Sequence, residues 1–387
     1  MLLESLFWIS VAMIIWSMIG YPIVLKVLRV FINRKNEKQD NVFPPVTIMV
    51  VAHNEEKVIK EKLNNIISVD YPRDKIKFII TSDKSTDATN KIVDCFIKAH
   101  PEYDIQLYIT KEHKGKTNAQ NEAQKLVDSE ILVMTDANAM IHVNAIKELA
   151  SSFNNSDIVY VSGRLVYVNN VTNQTVHNEN TYWNLDLEMR EIESNIKTIT
   201  AGNGALYACR NSAYFDADPI RCHDSVMPYY YGLQNKRCLF NKNAIATEKA
   251  GGTDADEFKR KVRMNRGILK WICPSFDVFN VFRYGWFSFF YFGHRSCRYS
   301  LWLFHILALI CNVILVWKSR SPLYVWTISI QIAFLSITWI GMNRSWKNRF
   351  LSLIAYYGMT IFAQFIGVIN CLTGKAKPVW DKAETTR

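Results

Sequence analysis

Three clusters of polar side chains each stand directly after a short apolar run. They are His53–Glu56, Ser82–Asp87 and Asp136–Asn138. Carboxylate and amide oxygens of this kind suit a divalent ion such as Mg²⁺, which completes its shell with phosphate and water oxygens. The sequence has neither the G-x-G-x-x-G motif of dinucleotide sites nor the G-x-x-x-x-G-K-[ST] motif of P-loops. The clusters therefore predict a site for a ligand whose phosphates are held by a metal.

The apolar runs alternate with stretches long enough to be helices. The candidate strands are Val46–Ala52, Ile76–Thr81, Ile105–Ile109 and Glu130–Thr135. Helical patterns cover Glu55–Val69, Asp87–Ala99 and Lys116–Asp128. This alternation predicts an α/β fold with a mostly parallel, Rossmann-like sheet between helices. Ligands of such sheets bind beyond the carboxyl ends of the strands, so we expect the three polar clusters to converge on one rim.

Four long apolar runs bracket this α/β segment, and each is about long enough to cross a bilayer core. They are Leu6–Leu25, Tyr299–Trp317, Pro322–Met342 and Leu351–Leu372. The first predicts one N-terminal transmembrane helix, and the others predict about three at the C-terminal end. We expect five segments: a transmembrane helix in 1–32, the α/β domain in 33–250, basic amphipathic interfacial helices in 251–294, transmembrane helices in 295–374 and a tail in 375–387.

Basic residues after the first apolar run set the expected orientation. They are Lys26, Arg29, Arg34, Lys35 and Lys38. By the positive-inside rule they place the α/β domain in the cytoplasm and Met1 outside, in an integral protein of a bacterial inner membrane. The tail also carries basic residues, namely Lys375, Lys377, Lys382 and Arg387. Four spans would put that tail outside, so either the rule fails locally or the span count is off by one.

The net charge of +11 does not indicate a nucleic-acid partner, because the excess follows the membrane flanks and instead favours contact with membrane lipids. The eight cysteines show no C-x-x-C pair, which fits reduced thiols in the cytoplasm. His53, His113 and His223 have no neighbour at metal-ligand spacing, so we expect them to hydrogen-bond or pack.

Seven short motifs follow one another through the chain. They are Val51–Glu56, Ser82–Asp87, Gly115–Asn121, Asp136–Asn138, Ala201–Tyr207, His223-Asp224 and Arg260–Met264. In order and spacing they resemble the inverting family-2 glycosyltransferases of the GT-A fold. The resemblance is to the membrane-bound branch that includes hyaluronan, chitin-oligosaccharide and cellulose synthases, and it covers Val46 to about Lys270.

The resemblance implies a nucleotide-sugar donor, with UDP as the nucleotide, and assigns the donor side residue by residue. Donor-binding residues would be Ala52, Asn54, Glu55, Asp83, Lys116, Asn121, Asp136 and Arg260. Asp83 would contact the uracil end, and Asp136 with Asn138 would hold Mg²⁺ or Mn²⁺. Lys84 stands where the family has glycine, so the tight turn must be made without it. Asn138 replaces a second aspartate and removes one negative charge from the metal site.

On the acceptor side the resemblance implies a glycine-rich segment followed by a catalytic base. The acceptor-side residues would be Gly202, Asn203, Gly204, His223 and Met264. Asp224 is the carboxylate available there as a general base, with capping of a helix N-terminus as the alternative. Arg263, assisted by Arg260, would stabilise charge on the departing diphosphate. The alternative for both arginines is a basic helix lying on anionic lipid.

These features predict a glycosyltransferase that moves one or a few sugars onto a lipid-linked or saccharide acceptor, in cell-surface polysaccharide or glycolipid synthesis. One alternative is a processive synthase that also secretes its polymer. Met264 argues against it, because the family's processive members carry an acceptor-stacking Trp at that position. The other alternative is a non-catalytic membrane subunit with a GT-A domain. A homo-oligomer is compatible with all three.

Overall fold

The computed structural model describes residues 1–32, 42–168, 174–249, 254–344, 346 and 348–378. The chain divides into two compact units. The helical unit comprises Met1–Phe31, Val171–Asp186 and Gly251–Ala376, and the sheet unit comprises Ile32–Asn170, Leu187–Ala250 and Lys377–Arg387. Several basic residues used above to predict orientation lie outside the described residues, namely Arg34, Lys35, Lys38, Lys382 and Arg387.

The sheet unit is built on eight strands among its described residues. They are β1 Val46–Ala52, β2 Ile76–Ser82, β3 Ile105–Ile109, β4 Ile131–Asp136, β5 Met140–Ile141, β6 Ile158–Val168, β7 Leu206–Arg210 and β8 Arg237–Lys249. They form one mixed sheet in the order β3-β2-β1-β4-β7-β6-β8-β5. Strands β1 to β4 pair in parallel, which brings their carboxyl ends to one rim. The four strands predicted from sequence are confirmed to within a residue or two.

Sixteen α-helices occur in the described residues. They are α1 Leu2–Ile15, α2 Tyr21–Phe31, α3 Ile59–Ile67, α4 Thr89–Ala99, α5 Lys116–Gln124, α6 Ala145–Ala150, α7 Gln174–Ile196, α8 His223–Leu233, α9 Asp254–Met264, α10 Ile268–Ile272, α11 Val281–Tyr284, α12 Trp286–Phe290, α13 Cys297–Tyr299, α14 Leu301–Ser319, α15 Pro322–Asn343 and α16 Arg349–Leu372. A π-helical turn, Trp16–Gly20, joins α1 to α2.

The first crossover helix of the sheet unit is shorter than the sequence predicted. The apolar pattern extended it from Glu55 to Val69, whereas α3 begins at Ile59 and ends at Ile67. The early start was wrong because Val58, with a φ of −122° and a ψ of −20°, is not in helical conformation. The backbone then closes a turn, with Val58 and Ile59 N–H groups donating to the Glu55 carbonyl, before the helix starts.

Burial explains why the central strands form where they do. Every residue of β1 is buried, and β4 is buried up to Asp136. Strands of a parallel sheet that is covered on both faces are continuous apolar runs of this kind. The polar side chains start where that cover ends, at the rim. The sheet therefore fixes where the candidate site residues emerge.

The helical unit contains four helical stretches long and apolar enough to cross a membrane. They are Leu2–Phe31 (α1 with α2), α14, α15 and α16. This agrees with the predicted pattern of one such helix near the N-terminus and three near the C-terminal end. The aromatic run Gly285–Gly293 contains α12 and continues into a π-helical turn, Tyr291–Ser296.

Candidate active site

The loops after β1, β2 and β3 form the first rim of the site, which we define as residues 52–55, 82–87 and 110–115. Asn54 locks the first two loops together: its N–H donates to Ser85 Oγ at 3.0 Å, and its side-chain oxygen accepts from the Thr86 N–H at 2.7 Å. The Ala52 carbonyl accepts from the Asp83 N–H at 2.8 Å. Ala52 and Asn54 thus shape this rim, and their donor contacts remain a prediction.

Lys84 adopts a φ of +53° at the tip of the second loop and is exposed. A lysine in this left-handed region is strained by about 1–2 kcal/mol because its Cβ crowds the following carbonyl. The tight turn expected from the sequence is therefore made without glycine, at a local energetic cost. Glu55, buried at the same rim, donates its N–H to Thr89 Oγ1 at 2.7 Å and so fixes the start of α4.

Asp83 is 2% exposed and anchors the loop that leads into α5. One carboxylate oxygen lies 2.8 Å from His113 Nδ1 and accepts from the Gly115 N–H at 2.8 Å. The other accepts from the Lys114 N–H at 3.2 Å. Asp83 thus sets the position of Gly115 and of the Lys116 that follows. Its predicted contact with uracil stays a prediction.

His53, Asp83 and His113 form a cluster that sequence reasoning did not find. The two imidazole rings stack with centroids 3.8 Å apart, and His53 Nδ1 lies 2.7 Å from the Asp83 carbonyl oxygen. One potential ligand atom from each residue falls within 4.8 Å of the others. The histidines do hydrogen-bond and pack, but the fold brings together residues some 30 positions apart, which no local spacing could have indicated.

The second rim, which we define as residues 136–139, 202–204 and 223–224 with Lys116, carries the charges. The Lys116 ammonium contacts the Asp136 carboxylate and donates to the Gly204 carbonyl at 3.0 Å. Burial acts to lower the pKa of Lys116, but Asp136 and then Asp224 outweigh it, so the pKa is raised. Lys116 therefore stays protonated and holds a positive charge at the end of β4.

Asp224 and Lys116 approach the same glycine from different elements. A Cβ added to Gly204 would lie 3.2 Å from Lys116 Nζ and 3.8 Å from a carboxylate oxygen of Asp224. Cys222 is the N-cap of α8, so Asp224 lies inside the first turn and is not the N-cap considered as its alternative role. Asp136, Lys116 and Asp224, predicted from three separate motifs, are thus brought together around Gly204.

The glycine-rich segment is held by tight packing and by Asn203. A Cβ at Gly202 would lie 2.0 Å from the Tyr160 hydroxyl, so any side chain there would displace that tyrosine. Asn203 donates to the Gly163 carbonyl, and its side-chain oxygen accepts from the Ala205 N–H at 3.1 Å. Both residues therefore position the backbone of the segment. The acceptor contacts predicted for Gly202, Asn203 and Gly204 stay predictions.

His223 lies in the protein interior, only 1% exposed. Its Nδ1 is 3.0 Å from the Gln120 side-chain oxygen, and its Nε2 is 2.9 Å from the Tyr214 hydroxyl. Burial, helped by the charge of Lys116, lowers the pKa of His223 to about 3, so the ring is neutral near pH 7. His223 ties the start of α8 to α5 and thereby positions Asp224, while its predicted acceptor contact stays a prediction.

Asn121, expected near the donor, holds the segment before α8. Its side-chain oxygen accepts from the Tyr214 hydroxyl at 2.9 Å, and its amide donates to the Ala217 carbonyl at 2.9 Å. These bonds connect α5, which begins with Lys116, to the chain that leads to Asp224. Asn121 thus links the two halves of the second rim, and its donor contact stays a prediction.

Lys62 is a further residue of the site region that sequence reasoning missed. It is fully buried, and its ammonium donates to Thr135 Oγ1 at 3.0 Å and to the Ala139 carbonyl. Burial lowers the pKa of Lys62 to about 7, although the nearby Asp136 acts to raise it. These bonds brace both sides of the Asp136–Asn138 turn. The available signal was its position among Ile59, Leu63 and Ile66 on the buried face of α3.

The oxygen donors of Asp136 and Asn138 fit a hard divalent ion. Asp136 is 28% exposed at the end of β4, and a turn with an Ala139 N–H to Asp136 carbonyl bond of 3.2 Å brings Asn138 around to the same rim. One carboxylate and one amide oxygen leave most of a Mg²⁺ or Mn²⁺ shell to phosphate and water. The His53–Asp83–His113 cluster offers two nitrogens instead, which suit softer transition metals.

The remaining predicted site residues, Arg260, Arg263 and Met264, lie on α9 in the helical unit. Arg260 makes two bonds to Glu257, from Nε at 2.7 Å and from a terminal nitrogen at 2.9 Å. Glu257 is 1% exposed, so this pair fixes the guanidinium within its own unit. The donor role of Arg260, the catalytic role of Arg263 and the acceptor-side role of Met264 stay predictions.

Comparison with known proteins bears on what this rim does. Residues 47–215 match the family model for glycosyl transferase family 2, a stretch that contains Asp83, Lys116 and Asp136. Among solved structures, a mannosyltransferase of Pyrobaculum calidifontis in complex with GDP-Man and Mn²⁺ aligns with a TM-score of 0.75 at 18% identity, covering 96% of this chain and 99% of that one. The fold is the GT-A fold predicted from the motifs, and the similarity to family 2 glycosyltransferases extends over residues 47–215.

Curated relatives agree with that family but match only in part. The probable glycosyltransferase YdaM of Bacillus subtilis is 32% identical over 148 residues, which are 35% of this chain and 34% of that protein. A beta-monoglucosyldiacylglycerol synthase of Synechocystis sp. is 24% identical over 208 residues, 52% of this chain and 42% of that protein. The chain thus matches less than half the length of either relative.

Proposed function

We propose that the protein is an inverting glycosyltransferase that moves a sugar from a nucleotide-sugar donor, a UDP-sugar, to a lipid-linked or saccharide acceptor at the cytoplasmic membrane face. The observation that carries the proposal is the convergence of Asp136, Lys116 and Asp224 around Gly204. One carboxylate is paired with an ammonium, and a second approaches the same point from the acceptor-side helix. The donor diphosphate needs a positive charge and the acceptor hydroxyl needs a base, and this rim has both side by side.

Asp224 acts as the general base. The acceptor hydroxyl transfers its proton to the Asp224 carboxylate while its oxygen forms the new bond to the anomeric carbon. The bond from that carbon to the diphosphate oxygen breaks, and the nucleoside diphosphate leaves with the electron pair. Positioned proton transfer of this kind contributes about 10²–10⁴ to a rate. His223 and Gln120 keep α8 in place, so that the carboxylate is held on the acceptor side.

Lys116 stabilises the negative charge that develops on the leaving diphosphate. Its ammonium is protonated and already directed at the rim by Asp136 and the Gly204 carbonyl. Asp136 and Asn138 would hold Mg²⁺ or Mn²⁺, which would supply further charge neutralisation for the diphosphate. Arg263 is the candidate for further contacts to the same phosphates, because a planar guanidinium suits phosphate oxygens better than an ammonium does, whereas Arg260 is already paired with Glu257.

A short transfer product is favoured over a long polymer. Met264 is 46% exposed on α9 and offers no aromatic face on which an acceptor sugar could stack. The relative named for a glucosylated diacylglycerol supports a lipid acceptor. Product length distinguishes the two outcomes: we expect one or a few sugars on each acceptor molecule, whereas long ladders would favour the processive alternative.

The proposal is tested by screening the purified protein with a panel of UDP- and GDP-sugars for nucleotide release and for transfer to a membrane lipid extract. We expect turnover of one UDP-sugar with added Mg²⁺ or Mn²⁺ and a loss of at least about 100-fold in Asp136→Ala. The matched control is Asp128→Ala, which removes an exposed aspartate paired with Lys77 on the surface and should keep full activity. Full activity in Asp136→Ala, or turnover of none of the sugars, would contradict the proposal.

A further inference from the structure

Four helices of the helical unit are long and apolar enough to span a membrane, but one of them is packed differently from the rest. In the most apolar 18 residues of each stretch, the share that is buried is 22% in Leu2–Phe31, 28% in α14 and 11% in α15. In α16 the share is 56%. Helices that cross a bilayer in a small bundle keep much of their surface against lipid. The extra burial of α16 therefore raises the question of what covers it.

Helices α1, α14 and α15 pack along their lengths as an antiparallel bundle. At one end Phe7, Leu315 and Tyr324 share a buried cluster, with the Phe7 and Tyr324 rings 5.8 Å apart. Midway, the Asn312 side chain bonds to Gln331 at 2.9 Å. Toward the other end, the rings of His305 and Phe334 stack with centroids 5.2 Å apart. Position in α14 thus marks depth along the bundle, from Leu315 down to His305.

Side chains of α16 contact this bundle at its His305 end. Tyr357 lies 2.9 Å from His305 Nε2 through its hydroxyl. A Cβ on Gly358 would meet Thr338, and the Gln364 amide donates at 3.0 Å to the carbonyl of Arg298, which precedes α14. The first half of α16 therefore packs against the last turns of α15 and the start of α14, and not along the full length of the bundle.

An adjacent side of α16 faces a charged helix, α9. The Tyr356 hydroxyl lies 3.3 Å from the carboxylate of Glu257 in α9, and the Lys261 ammonium sits 4.5 Å from the centre of the Tyr356 ring. Near the end of α16, Cys371 Sγ donates to the Arg266 carbonyl at 2.7 Å. Charged side chains inside hydrocarbon are expensive. The segment of α16 from Tyr356 to Cys371 is therefore packed at the level of a polar helix.

The tail after α16 supplies an independent observation. A Cβ on Gly115, in the loop before α5, would lie 2.7 Å from the Pro378 carbonyl, and both residues belong to the sheet unit. The stretch from Leu372 to Pro378 extends to about 20 Å at most, which is less than the about 30 Å of a bilayer hydrocarbon core. The end of α16 must then lie on the membrane side that holds Gly115.

We propose that α16 does not cross the membrane but lies along its surface, so that the described chain crosses three times, through Leu2–Phe31, α14 and α15. The partner of α16 is the headgroup and acyl-chain boundary of the leaflet on the sheet-unit side. Its exposed apolar side chains enter that boundary, with Phe350 70%, Phe362 43% and Leu372 74% exposed. Lys375 and Lys377 then lie on the same side as Lys26 and Arg29, which removes the contradiction that the tail posed in the sequence.

The two ends of α16 provide the test, because a spanning helix exposes them on opposite sides. Arg349→Cys, Lys375→Cys and Lys377→Cys, at exposed polar positions beside the two ends of α16, are each placed in the full chain and treated, in membrane vesicles of known orientation, with a membrane-impermeant maleimide. Peptide mass spectrometry reads each site separately, so the native cysteines do not interfere. The reference variants are Lys60→Cys, exposed on α3 of the sheet unit, and Ser319→Cys, exposed at the end of α14 between two spans.

We expect all three test positions to be labelled from the same side as Lys60→Cys and from the opposite side to Ser319→Cys. Labelling of Lys375→Cys or Lys377→Cys from the Ser319 side would show that α16 crosses and would overturn the proposal. The readout involves no catalysis. A failure here would therefore leave the proposed sugar transfer untouched, and a failure of that transfer would leave this proposal untouched.

Discussion

The two rims of the sheet edge are held in place by different forces. In the first rim, Asn54 and Asp83 fix the loops largely through bonds to backbone N–H groups, and Asn54 and Lys84 adopt left-handed backbone. In the second rim, Lys116 and the buried Lys62 hold the turn after β4, close to Asp136. The shape of one rim is set by local geometry, and that of the other by a balance of charges.

This difference indicates which substitutions matter most. Removing a partner from a balanced group of charges leaves the remaining charge uncompensated in a partly buried place, which is costly. Removing strain from a surface loop changes only the local backbone energy. We therefore expect large catalytic effects and little tolerance in the second rim, and small effects, some of them stabilising, in the first.

The largest effect is expected for Asp224→Asn. The amide keeps the size of the side chain but cannot accept the acceptor proton, so kcat should fall by about 10²–10⁴ while the affinity for the donor changes little. Initial rates and donor titrations of the purified protein measure the two quantities. The control is Asp216→Asn, which alters an exposed aspartate shortly before α8. Unchanged kcat in Asp224→Asn would remove this residue from the role of base.

Lys116→Met should have the next largest effect, a loss of about 10²–10³ in kcat. This is the usual cost of removing one donor that stabilises developing negative charge. The substitution also leaves Asp136 without its ion pair and the Gly204 carbonyl without its bond. Lys125→Met, exposed just after the same helix, is the matched control and should behave as the parent does. If both variants lose activity equally, general helix destabilisation and not charge placement would be the cause.

Lys62→Met tests the second rim without touching a group at its surface. We expect about a tenfold loss of kcat, since the turn that presents Asp136 and Asn138 loses its brace to Thr135 and Ala139, and misplacement of about 1 Å can cost up to 10²-fold. The exposed Lys60→Met on the same helix is the control. Equal activity in the two variants would show that the turn holds its shape unaided.

The pH dependence of the free energy of unfolding gives a second test of Lys62. Its pKa is about 7 when folded and 10.5 in its ordinary state, so above pH 7 the unfolded chain binds a proton that the folded chain does not. The free energy of unfolding should therefore rise as pH increases from about 7 toward 10 and be level below 7 for this group. Thermal unfolding midpoints of parent and Lys62→Met across that range measure it. The midpoint of Lys62→Met should rise less with pH than that of the parent. Parallel midpoint curves for the two proteins would contradict a lowered pKa of Lys62.

Sequence reasoning reached the strands, the rim and the charged residues of the second rim, because their motifs lie at strand ends that the apolar pattern predicts. It could not place Lys62, since a lysine within an amphipathic helix usually extends to solvent. It could not assemble His53, Asp83 and His113, because their proximity depends on which strands pair. The start of α3 was placed too early because periodicity does not report the separate turn from Glu55 to Val58 that precedes the helix.

Lys84→Gly should have the smallest effect of these variants. Unlike the others, it should improve the protein, by raising its stability. Glycine relieves about 1–2 kcal/mol of left-handed strain but loses about 0.4–1 kcal/mol through greater freedom of the unfolded chain. The net expectation is a gain of about 0.5–1 kcal/mol in unfolding free energy with unchanged kcat, read from the thermal midpoint in one detergent. Lys91→Gly, exposed within α4, should lose about 1 kcal/mol. If Lys84→Gly instead lowers kcat or donor affinity, the strained turn presents the lysine to the donor, and the first rim contributes charge as well as shape.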